Sequence, residues 1–204
     1  MGVQRSRPSA QAASALRDAM QAYAPIEDET LSLLLDCARV VEVDKDGFYC
    51  RQGDRVSEFG FVLAGLLRYF VRDVDGNDYN KIFFDEGTFP GPIAALLRGE
   101  PADVSIQALE PSRVLSFDFA GYRAVLAERR DLMWFQIRYL ERNWLLKKEP
   151  REFSLVQEEA AVRYRRFREE SPRLAARLPL FHVASHLGVT PTQLSRIRRA
   201  ERDA

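Results

Sequence analysis

The sequence predicts an α+β protein in which a β-rich middle is framed by helices. Three observations carry this. Between Val40 and Phe119 short apolar runs recur with turn residues between them, at the roughly ten-residue spacing of an antiparallel sandwich or barrel. Beyond Gly121 the apolar spacing turns helical and stays so. The C-terminal part also gathers positive charge that the rest of the chain lacks. Residues 161–204 hold ten arginines against Glu169, Glu170, Glu201 and Asp203, a balance of +6 in a chain of net charge zero.

Taken in order, the first element is the helical stretch "SALRDAMQAY", which stops at Pro25. "EDETLSLLLDCA" restarts with an acidic first turn, as a helix N-terminus favours. The strand-like runs are "RVVEV", "FGFVL", "LLRYFV", "NKIFF", "SIQAL" and "RVLSF". Asp46-Gly47, Gly53-Asp54, Ala64-Gly65, Asp75-Gly76-Asn77, Glu86-Gly87 and Pro111-Ser112 punctuate them. Asp75-Gly76 is the best hairpin signal. The apolar residues Phe61, Leu63, Phe83 and Ile106 read as core of this region rather than as the wall of a ligand pocket.

Within residues 132–146, ten of fifteen positions are apolar or aromatic. They form two stripes at helical spacing: Leu132, Phe135, Tyr139 and Leu146 on one, Met133, Ile137, Leu140 and Trp144 on the other. A surface helix needs only one. Two stripes imply two partners, the chain's own β domain and a second copy, so a homodimer is expected with Leu132, Met133, Tyr139, Leu140 and Leu146 in its contact. A helix buried on all sides within one chain is the alternative. "SLVQEEAAVRYRRFREESP" is a further helix ending before Pro172. Two short ones follow, over about Leu180–Leu187 and Pro191–Arg199. The predicted division is 1–125 for the β domain with its N-terminal helices, 126–150 for the dimerisation helix and 151–204 for the terminal helices.

In "HVASHLGVTPTQLSRIRR", Val183, Leu187, Val189, Leu194 and Ile197 can share a small core. Gly188 supplies the left-handed residue that ends one helix. Thr190 suits the N-cap of the next, with Pro191 at its first position. A turn this short between two helices is that of a helix-turn-helix. At 100° per residue, Thr192, Ser195, Arg196 and Arg199 then face away from the core. Arginine can bond guanine twice in a major groove, and hydroxyls reach phosphates or base edges. Double-stranded DNA is therefore the expected partner, against the plainer alternative of a solvated basic hairpin.

This order of parts resembles the Crp/Fnr family of bacterial transcription regulators, most closely over "AAVRYRRFREESPRLAARLPLFHVASHLGVTPTQLSRIRR". The resemblance implies a jelly roll like that of cyclic nucleotide-binding domains, a long dimerisation helix and a small all-α helix-turn-helix domain. It implies a homodimer on a pseudo-palindromic operator, with RNA polymerase as a further partner. Thr190 would touch phosphate. The family's base readers are Arg, Glu and Arg; here they are Pro191, Thr192 and Arg196, so a different operator is expected.

The sensor half departs from the pattern. Cyclic-nucleotide binders carry a cassette of the type Phe-Gly-Glu-Leu followed by Arg-Ser-Ala, whose glutamate, arginine and serine hold ribose and phosphate. Here the stretch is "GTFPGPIAALLRGEPADVSIQALE". Gly91 is kept, but Pro92 stands for the glutamate, Ala102 for the arginine and Asp103 for the serine. An anion would lose its countercharge and meet a carboxylate, a loss on the order of 3 kcal/mol or more. No cofactor is expected: cyclic AMP and cyclic GMP should not bind, and the effector is another small molecule, a protein or nothing. A cyclic nucleotide-responsive regulator with an altered cassette and a dimeric scaffold that has lost DNA binding are the alternatives.

Other classes fit less well. Both histidines, His182 and His186, fall after the β region, so a cupin-type metal enzyme has no barrel ligands. Their i, i+4 spacing lacks a nearby third ligand, and surface or phosphate-contacting histidines are expected instead. Neither a Walker A loop nor a nucleophile–base motif occurs, so no catalytic residue is assigned. Cys37 and Cys50 are too few for a disulfide framework or a four-thiolate cluster. No run approaches the ~18 apolar residues of a membrane helix, so no membrane partner and a cytoplasmic location are expected.

Overall fold

The structure is a computed structural model that describes residues 5–146 and 158–202. The chain divides into two compact units, one of Met1–Tyr69 with Phe83–Glu141 and one of Phe70–Ile82 with Arg142–Ala204.

The first unit begins with strand β1 (Arg5–Ser6), helix α1 (Ala10–Gln21) and helix α2 (Asp28–Asp36). Ser9 caps α1 by accepting from the Ala12 amide at 3.2 Å. Strands β2 (Ala38–Val43), β3 (Phe48–Cys50), β4 (Glu58–Ala64), β5 (Leu67–Arg72) and β6 (Asp78–Phe84) follow, the β5–β6 hairpin over Phe70–Ile82 belonging to the second unit. Then come α3 (Ile93–Arg98), β7 (Ser105–Ala108), β8 (Ser112–Asp118), α4 (Phe119–Glu128) and α5 (Arg130–Leu140). The strands form two four-stranded sheets, ordered β1-β2-β8-β4 and β3-β7-β5-β6. Strand β8 lies antiparallel between β2 and β4, with Leu115 opposite both Val40 and Phe61. Each apolar run named from the sequence is a strand here; the short β1 and β3 and the helix α3 carry too little periodicity to be seen in it.

Val40, Phe59, Phe61, Leu115 and Phe117 from the sheet pack with Leu16, Met20 and Leu34 from α1 and α2. Leu132 and Phe135 of α5 complete this core. Tyr23 meets Phe135 edge-on with ring centres 5.6 Å apart, within the favoured range for aromatic pairs.

The single helix predicted over 126–150 is interrupted. Arg129 adopts an extended backbone, φ −105° and ψ 111°, between α4 and α5. The break turns its guanidinium onto Glu27 at 2.7 Å and Glu29 at 2.8 Å. Asp131 then accepts from the Glu27 amide at 2.9 Å and the Thr30 hydroxyl at 3.0 Å, closing the start of α2 with a carboxylate. After α5 the backbone widens into a π-helical turn over Glu141–Leu145. The predicted stretch 147–150 lies outside the described residues, as do 151–157 of the predicted domain 151–204.

Up to Leu140 the two apolar stripes have opposite fates. Leu132 is wholly buried and Tyr139 packs on the intrachain core, so these two residues of the predicted dimer contact belong to the protomer's own interior. Met133, Ile137 and Leu140 stay 37–44% exposed, as do Trp144 and, further still, Leu146.

In the second unit, α6 (Ala160–Glu170), α7 (Pro172–Arg177), α8 (Leu180–His186) and α9 (Pro191–Arg202) follow one another with short connections. Tyr164, Phe167, Leu178, Val183, Leu187 and Leu194 are buried. No helix among the described residues is long and apolar enough to cross a membrane.

Candidate nucleic-acid interface and sensor cassette

Helix α8 ends as its sequence requires. Gly188 takes φ +69°. The Val189 amide reaches back to the Ala184 carbonyl at 3.0 Å and the Gly188 amide to Ser185 at 3.3 Å, the paired bonds of a Schellman close. Helix α9 opens on a reciprocal cap. The Gln193 amide donates to Thr190 Oγ1 at 3.2 Å, and the Thr190 amide donates to Gln193 Oε1 at 2.9 Å. Thr190 was predicted as the cap; Gln193 was not, although Thr-x-x-Gln is its sequence signal.

Leu194 points inward, fully buried, and Ile197 is half-buried. Thr190, Pro191, Thr192, Ser195, Arg196 and Arg199 are all exposed, so the six predicted contact residues share the outer side of α9 and its start. Arg168 of α6 pairs with Glu201 at 3.2 Å, and Arg163 donates to the Leu187 carbonyl at 3.0 Å. These bonds hold α9 and the turn against α6 and use arginines other than those on the outer face. That face can meet a polyanion with hydroxyls first and guanidinium groups behind them.

The histidines do not behave as predicted. His182 is buried, with Nδ1 3.1 Å from Asn80 Nδ2, and His186 is half-buried against Phe167. They face protein because Val183 and Leu187, which direct α8 inward, place them beside the β5–β6 hairpin. Among the described residues no group of three or more His, Cys, Asp or Glu could hold a metal.

The cassette residues are on the β domain. Gly91 is needed where it stands, since a Cβ there would come within 2.7 Å of Phe59 Cβ. Pro92 precedes α3. Ala102 is buried, its amide donating to the Asp54 carbonyl at 2.9 Å and its carbonyl accepting from Gly53 at 2.7 Å. Asp103 is exposed. Burial pushes the Tyr69 phenol up to about 12, and the nearby Asp103 carboxylate adds to that shift. The Cys50 thiol is likewise raised to about 12, by burial first, then by Asp54 and Asp103. The cassette therefore presents negative charge. Arg98, a cation of the same loop, pairs with Glu100 at 3.8 Å on the surface.

Residues 40–129 match the family model described as cyclic nucleotide-binding domain. A comparison with curated proteins finds no match. Among solved structures, the chain is similar to FixK2 from Bradyrhizobium japonicum, with TM-score 0.67 and 17% identity over 81% of this chain and 85% of that one. It is also similar to CLP from Xanthomonas campestris, a c-di-GMP responsive global regulator, with TM-score 0.66 and 14% identity over 87% and 93%. The catabolite activator protein of Thermus thermophilus gives 0.55 and 19% over 87% and 84%. Residues 40–129 are thus similar to cyclic nucleotide-binding domains, and the chain shares its fold with these three proteins.

Proposed function

We propose that this protein is a homodimeric, DNA-binding transcription regulator of the Crp/Fnr type whose sensor domain does not take cyclic AMP or cyclic GMP. At this finer grain the paired sheets are a jelly roll and α8–α9 a helix-turn-helix. One observation carries the reading: a capped helix buries Leu194 while turning Thr192, Ser195, Arg196 and Arg199 to solvent. The exposed Met133, Ile137 and Leu140 supply a surface for the second copy. Two copies would set two such helices on an operator of inverted half-sites, one duplex turn apart. An effector would act by favouring one dimer state and so changing the spacing of those helices.

The test is selection of bound sequences from a random DNA pool. Recovery of an inverted repeat supports the proposal, and a pool that stays unenriched overturns it. Arg196→Ala is expected to relax preference at one base pair of each half-site, costing about 1–3 kcal/mol.

The family match over 40–129 favours a second reading, a cyclic nucleotide receptor with an altered cassette. Ala102 and Asp103 argue against it, because neither can neutralise a cyclic phosphate. Titration calorimetry decides between them; micromolar binding of cyclic AMP or cyclic GMP would favour the receptor. Cyclic di-GMP, named for CLP, belongs in the same titration.

A further inference from the structure

Strand β6 of the β5–β6 hairpin and helix α8 share a set of polar contacts. Strand β6 is an edge strand, and such a strand carries backbone groups without a ladder partner. Here α8 supplies the partners. Ser185 Oγ accepts from the Asn80 amide at 3.0 Å and donates to the Asp78 carbonyl at 2.7 Å. His186 Nδ1 lies 3.2 Å from the Asn80 carbonyl. The Asn80 side chain completes the set: its Nδ2 lies 3.1 Å from His182 Nδ1 and donates to the His182 carbonyl at 3.3 Å. Asn80 is 1% exposed and His182 6%.

The two imidazoles are chemically unlike in this setting. A carbonyl only accepts, so His186 Nδ1 must carry a hydrogen, and it does so in both the neutral and the charged ring. An amide nitrogen only donates, so His182 Nδ1 must be bare, which only the neutral ring allows. Turning the Asn80 amide over gives no relief, because its Oδ1 would then oppose the His182 carbonyl oxygen.

We propose that Asn80 and His182 form a proton-sensitive latch, which holds α8 on the hairpin while His182 is neutral and releases it when His182 is protonated. The added hydrogen would meet the Asn80 amide hydrogens and place a cation where little water reaches. Charged groups also lie on the segments packed here. From the hairpin they are Lys81 and Asp78, the latter paired with Arg72 at 2.7 Å. His186 lies one turn along α8, and Arg163 of α6 is bonded to the Leu187 carbonyl. Phe181, whose ring centre lies 4.1 Å from that of His182, adds no charge. The released form binds one proton more, so the latch weakens as pH falls through the histidine range, by up to about tenfold per pH unit. Any effect on DNA affinity rests on the function proposed above; the latch itself does not.

Amide hydrogen exchange on the full chain tests it, from about pH 8 to about pH 5.5. Protection is corrected for the intrinsic pH dependence of exchange, and the Leu115 amide of β8 serves as reference. Protection of the Asn80 amide is expected to fall about tenfold or more while the reference holds. H182Q keeps an acceptor that cannot charge and should flatten the response; H186Q should leave it intact. An Asn80 amide equally protected at both ends, or a response that persists in H182Q, overturns the latch. Should H182Q not fold, the nitrogen shifts of the native imidazole decide: a bare Nδ1 on His182 at the upper pH supports the latch, and a protonated one overturns it.

Discussion

Gly65 sits at φ +103°, and a Cβ there would fall 2.3 Å from Ser112 Oγ and 2.7 Å from Ser112 Cα. The strain is both conformational and steric, and the near atoms include backbone. Gly53 shares the positive φ, +91°, with nothing within 4 Å of its missing Cβ. Urea denaturation should therefore separate the two alanine variants. G53A is expected to cost about 1 kcal/mol, from backbone conformation alone, and G65A at least about 2 kcal/mol. Equal losses would mean that Ser112 moves aside freely. Cys50 gives a pH-dependent counterpart. Its pKa is raised to about 12, chiefly by burial, so the folded chain keeps the thiol protonated when the unfolded chain has lost it. That contribution is complete below the ordinary thiol range and is lost as pH rises from about 9 toward 12. Stability followed by circular dichroism should fall on alkaline titration, less steeply in C50A, and alkylation of the native protein at pH 8 should leave Cys50 unmodified.

Helix α5 divides its apolar residues between two surroundings, and mutation should separate them. Leu132 is buried without remainder, so L132A is expected to destabilise the fold by about 2–5 kcal/mol. Leu140 is 42% exposed and contributes far less to the protomer. L140E should leave the melting temperature of the fold nearly unchanged while converting a dimer to a monomer in sedimentation. A monomeric parent protein, or an L140E variant that still dimerises, would remove this face from the proposed interface. The sequence showed both stripes on equal terms. Which one turned inward depended on where α1, α2 and the sheet stand, and no local pattern carries that information. The break at Arg129 has a similar origin: a lone arginine at a helix junction says nothing until Glu27 and Glu29, about a hundred residues away, are placed beside it.

For the molecule as a whole, charge is the property that function must use. The +6 balance after residue 160 is offset by an equal negative balance before it, so a polyanion would be met by one part and repelled by the other. Binding to random duplex should weaken steeply with salt, with a slope of roughly −0.9 in log–log form for each phosphate neutralised. A flat response would point to a dimeric scaffold without DNA contact. The alternation of apolar runs and turn residues, the switch to helical spacing and the Gly-Val-Thr-Pro turn were all legible in the chain, because each rests on backbone preferences of neighbouring residues. The basic outer face of α9 was legible for the same reason, since one helix wheel and one buried leucine determine it. Tertiary structure alone decided that His182 is buried on Asn80, that Leu132 belongs to the core, and that Asp103 stands beside Tyr69 and Cys50. Those outcomes join residues far apart in sequence, and the energies of burial and charge that set them exist only once the chain has closed on itself.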